Sequence, residues 1–222
     1  MRDHRLATFA LSATLSLGTV PLLHAQSRAE ASATGSTLTP GLRAAVDRLA
    51  DSARAIGVPA EPLYLKAAEG VLKGADDDRV AAVVGRMLTE LREARRGLGG
   101  QATSAELIAG ASVVHAGLDA GALRRVRAAR AGARADDALV MPLVVLADLV
   151  ARRVTPETAT ASVIALAERG APDAEFDDLR SVVEREIRRG QPPDAAARAR
   201  TAVILQAIPR PDAPRRDPMS RP

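Results

Sequence analysis

Residues equipped for catalysis or ligand binding are few in this chain, and each has a plain structural explanation beside the functional one. Lys66, Glu69 and Lys73 lie three and four residues apart within the stretch from Glu61 to Ala75, which places them on one helix face. Lys66 and Lys73 are the only lysines among 31 basic residues, so a compact ammonium is kept here in a chain that otherwise uses arginine. The simpler reading is two surface ion pairs; the functional one is a binding face. Arg124, Arg125, Arg127, Arg130 and Arg134 form the strongest basic cluster, with no acidic residue between Asp119 and Asp136. On a helix Arg124, Arg127, Arg130 and Arg134 share one side, opposite Ala122, Val126 and Ala129, where lipid headgroups, an anionic envelope polymer or nucleic acid would be met. No aromatic residue stands beside them to stack on bases, so a solvated helix face is the simpler account and nucleic acid the weakest partner.

His115 is the one histidine outside the N-terminal segment, and two residues before Gly117 it is expected to bond carbonyls at a helix end. Asp148 is the single charge in the apolar run from Leu139 to Val150, one helical turn before Arg152. Asp76, Asp77 and Asp78 lack the alternating ligands and glycine of a calcium loop and suit a helix start. HExxH, GxSxG, SxxK and GxxxxGK[ST] patterns do not occur, and the absence of cysteine removes disulfides, thiolate metal sites, cysteine nucleophiles and a lipid-attachment cysteine. No catalytic, cofactor-binding or metal-ligating set is assigned, and no cofactor is expected.

The elements that must hold these residues read as helices. Aromatics are 1% of the chain, so the core is built from Ala, Val, Leu and Ile, whose small volumes suit close helix–helix packing. No stretch of four or more residues alternates in the strand manner. Residues 1–25 have a basic start, an uncharged run from Leu6 to Leu23 and a small residue at Ala25, the three parts of a secretory signal peptide. If uncleaved, the run would serve as an N-terminal membrane anchor. Residues 26–38 read as a flexible leader, 39–207 as a single all-α domain, and 208–222 as a disordered tail rich in Pro and Arg. Leu42, Val46, Leu49, Ala53 and Ile56 recur at helical spacing after Thr39-Pro40, and Val80, Val84, Met87, Leu88, Leu91 and Leu98 do so after Asp76.

Helix junctions are written in one repeated chemistry: Gly57-Val-Pro59, Gly74-Ala-Asp76, Gly117-Leu-Asp119, Val154-Thr-Pro156, Gly170-Ala-Pro172 and Gly190-Gln-Pro192. Glycine closes one helix in the left-handed conformation, and Pro or Asp opens the next. With looser loops after Gly97 and Ala131, the count is about nine short helices, arranged as a compact multi-helix bundle or a short array of helical hairpins. Uneven spacing between junctions weighs against a regular solenoid. The run from Leu139 to Val150, apolar nearly all round, is expected at the centre, its helix starting near Met141 because Pro142 is tolerated only in a first turn.

The expected function is that of an exported binding or scaffolding module of the cell envelope or exterior, partnered by another envelope protein or an anionic envelope component. An exported chaperone or assembly factor is the alternative, and an enzyme using a carboxylate such as Glu69, Glu90, Glu106 or Glu184 is less favoured, because so few aromatics are available to stack a glycan.

Overall fold

The computed structural model describes residues 38–130 and 138–208. The signal segment, nearly all of the leader and tail, and Arg134 lie outside the described residues. Among the described residues the chain forms nine α-helices and no strand: α1 (Pro40–Ala55), α2 (Glu61–Leu72), α3 (Asp77–Leu98), α4 (Ser104–His115), α5 (Ala120–Ala129), α6 (Val140–Ala151), α7 (Pro156–Glu168), α8 (Asp173–Arg188) and α9 (Pro193–Ala207). None of these is long and apolar enough to cross a membrane.

Local chemistry sets the helix limits. Thr39, Asp76, Thr103, Asp119 and Thr155 each accept a backbone N–H three residues ahead through the side chain, at 2.8–3.4 Å. At the far ends, Gly57, Gly74, Gly117, Gly170 and Gly190 all have positive φ, between 67° and 98°. Each sits in a Schellman turn: Gly57 N–H donates to Arg54 O and Val58 N–H to Ala53 O, and the same pair of bonds recurs at the other four. The residue after the glycine is thereby tucked under the helix it has just left, and Val58, Leu118 and Ala171 are buried there. At these three turns the spacer of the Gly-x-Pro/Asp pattern thus joins the core, whereas Ala75 is half-buried and Gln191 exposed. The junction read as Val154-Thr-Pro156 is shifted by one: Arg153 is the left-handed residue, with φ of 67°, and Val154 takes the buried position, its N–H donating to Leu149 O. No glycine marks this turn, so the shift was hidden in the sequence.

Substantial helix contacts run only between elements one or two apart in the chain. The odd-numbered helices α1, α3, α5, α7 and α9 touch in succession and form one row; α4, α6 and α8 form a second row packed across it. Among the described residues, α2 and α4 make no substantial contact, although α2 packs well on α1 and α3. The second row is therefore open at that point. Small residues allow the close crossings: a Cβ built on Gly97 of α3 would lie 2.6 Å from the Leu123 Cβ and 2.9 Å from the Ala120 carbonyl oxygen of α5.

The core is aliphatic apart from Phe176, which is fully buried on α8. Helix α6 begins at Val140 with Pro142 in its first turn, where no helical N–H is lost. Its Leu143, Val145, Leu146 and Leu149 are fully buried between α4, α7 and α8. The opposite edge, Val140, Val144 and Ala147, is half-buried, because the second row has an outer side.

Candidate functional site

The lysine-bearing face predicted on α2 forms. Lys66 Nζ donates to Glu69 Oε2 at 2.9 Å, and Lys73 Nζ donates to Oε1 of the same carboxylate. Hydrogen bonds from Lys66 and then Lys73 hold the Glu69 carboxyl at about 2, well below the usual range. The group is exposed, and this triad is the ion-pair arrangement that i,i+3 and i,i+4 spacing dictates.

What spacing could not show is that this face borders the opening between α2 and α4. A hollow of about 350 Å³ lies between α2 and the first half of α3, where Lys66, Glu69 and Lys73 face Arg79, Val80 and Val83. A second, of about 370 Å³, lies between α3 and α4, lined by Lys66, Val83, Arg86, Met87, Glu90, Ile108, Ser112 and His115. Lys66 and Val83 belong to both, so the two join into one trough floored by α3. Val83 and Met87 are half-buried in the floor, and Ile108 on the α4 wall is 39% exposed. His115 closes the far rim: its Nδ1 lies 2.8 Å from Glu90 Oε1 on α3, so it pairs across helices and does not cap its own helix as expected from sequence.

The trough's charge is uneven. Glu69 is shared by two lysines and Glu90 is paired with His115. Arg79 and Arg86 are exposed and have no ion-pair partner among the described residues. Sequence reasoning did not single out these two arginines. They stand seven residues apart on one helix, a legible signal, but only the gap between α2 and α4 turns that spacing into part of a concave surface.

The arginine cluster of α5 is divided by the structure. Arg124 and Arg125 are exposed. Arg127 donates to Leu98 O at the end of α3. Arg130 donates to Ala171 O at 2.6 Å, lies 3.4 Å from Asp173 and stacks 5.3 Å from the centroid of the Phe176 ring. Two of the described four thus fasten α5 to its neighbours. Lys66, Glu69, Lys73 and His115 come together around the trough, whereas the cluster lies on a different helix and takes no part in lining it.

The other carboxylates singled out in the sequence, Asp148, Glu184 and Glu106, are engaged as well. Asp148 lies 3.5 Å from Arg152 and 3.4 Å from Arg180, and Arg152 also meets Glu184 at 3.0 Å, tying α6 to α8. The Arg152 hydrogen bond pulls the Glu184 carboxyl below its ordinary value. Glu106, buried, accepts from Thr103 N–H at 3.1 Å and from Leu139 N–H at 3.2 Å. Among the described residues no group of three or more His, Asp or Glu side chains is placed to hold a metal ion. No protein-family model matches the chain, and no curated protein or solved structure matches it at a significant level.

Proposed function

We propose that the chain is an exported binding module of the cell envelope or exterior that holds a partner in the trough between α2 and α4. The observation that supports this reading is the trough itself, a concavity that joins an apolar floor to cations left without partners on α3. Binding sites are commonly concave and mostly apolar, with a few charged groups to orient what they hold. Glu69, Glu90, Glu106 and Glu184, the carboxylates considered for an enzyme, are each occupied by a cation, a histidine or backbone N–H groups. An assembly factor that shelters a client segment is the second reading, favoured by the exposed side of Ile108.

A photo-crosslinking amino acid at Val83, with a control at Val203 on α9, tests the site in the native envelope. Capture of a discrete partner at Val83 and none at Val203 is expected; equal capture at both, or none at either, removes the trough from consideration. Fractionation with N-terminal sequencing tests export, with the processed chain expected to begin near Gln26. An intact chain recovered from the cytosol would end that part of the proposal.

A further inference from the structure

Resting on the trough as the binding surface, we infer that its occupant is an acidic, amphipathic segment of a partner protein. Arg79 and Arg86 are the trough-lining cations that form no ion pair among the described residues, and seven residues along α3 separates their stems by about 10 Å at 1.5 Å per residue. Val83 and Met87 lie in the floor beside them, and Ile108 faces them from α4. The complementary ligand carries two carboxylates about two helical turns apart, with apolar side chains on the same face. Charge-assisted bonds from two guanidinium groups fix its register, and the apolar floor supplies the rest of the contact.

Other occupants fit less well. The chain's own residues 209–222 carry four arginines against two aspartates, so their charge opposes the trough. Residues 26–37 carry one arginine against one glutamate and bring no surplus of acid. An anionic membrane is broad, and it would meet the rims formed by α2 and α4 before reaching Val83 and Met87 in the floor.

The test uses the purified chain and three probes read by fluorescence anisotropy or co-sedimentation: an amphipathic peptide with Glu seven residues apart and Leu between, the same peptide with Lys for Glu, and vesicles containing an anionic phospholipid. The Glu peptide should bind at least tenfold more tightly than the Lys peptide and lose affinity as salt is raised. Replacing both cations (Arg79→Glu with Arg86→Glu) should weaken the Glu peptide at least tenfold and reverse the preference; both side chains are exposed, and an unchanged circular dichroism spectrum will confirm the fold. Ile108→Ser should weaken the Glu peptide without altering its salt dependence. Absence of Glu-peptide binding, equal binding of the two peptides, insensitivity to the double substitution, or stronger binding to vesicles would overturn the inference. If Val83 crosslinking still captures a partner and the double variant captures it equally, the trough stands and its acid preference falls; if Val83 captures nothing, both fall.

Discussion

Both oxygens of Glu106 accept backbone N–H groups, one from Thr103 at the start of α4 and one from Leu139 just before α6. A buried carboxylate bonded in this way joins two helix starts through a bond between residues 33 apart in the chain. Glutamine retains a single oxygen acceptor and turns an NH₂ donor toward an N–H, so Glu106→Gln should cost about 1–2 kcal/mol and Glu106→Ala about 2–4 kcal/mol. Urea unfolding of the two variants measures this, and a loss under about 0.5 kcal/mol in both would show that the bonds contribute little. The Thr103-x-x-Glu106 spacing of a capping box is visible in the sequence, but the bond to Leu139 is not, because it depends on how α4 and α6 lie side by side. The same distinction applies to His115. Its place in the last turn was readable, and its Glu90 partner, on another helix, was not.

The helices themselves were legible because their ends are made by neighbouring residues. A left-handed residue is followed within two or three positions by the cap of the next helix, so the junctions could be found without knowing what packs on what. The exception is informative. Arg153 adopts φ of 67° where five other turns have glycine, and a side chain in that region costs about 1–2 kcal/mol. Arg153→Gly removes the strain but adds unfolded-state entropy, for a net gain of about 0.5–1 kcal/mol. Thermal unfolding should show a raised Tm; a lowered one would mean that the Arg153 side chain makes a compensating contact. The trough was hidden for a related reason. Lys66, Glu69 and Lys73 declare a helix face by their spacing alone, but the separation of α2 from α4 is a property of three helices together, and no local pattern encodes it.

Across the molecule, the apolar run near Val145 is buried as its composition demands, yet it is one member of a row and not a hub on which everything converges. The two ends of the array use the same clasp: Thr39, the cap of α1, donates to Asp77 on α3, and Thr155, the cap of α7, donates to Asp194 on α9 at 3.0 Å. The Thr155 backbone N–H also bonds Asp194 and lowers its carboxyl below the ordinary value. With contacts confined to near neighbours, interior helices have partners on both sides and terminal ones on a single side. Native-state hydrogen exchange should therefore show the greatest protection in α3 to α6 and a decline toward α1 and α9. One uniform opening free energy throughout would contradict this.

Helix packing whose substantial contacts stop at the second neighbour has a consequence for descent as well. Nothing in such a fold has to close on itself, so a helical pair gained or lost after α7 leaves the interfaces among the preceding helices in place. The length beyond α7 is thereby free to drift by whole pairs while the hollow beside α3, walled by α2 and α4, keeps its shape, and selection on what that hollow holds need not act on the number of helices at that end.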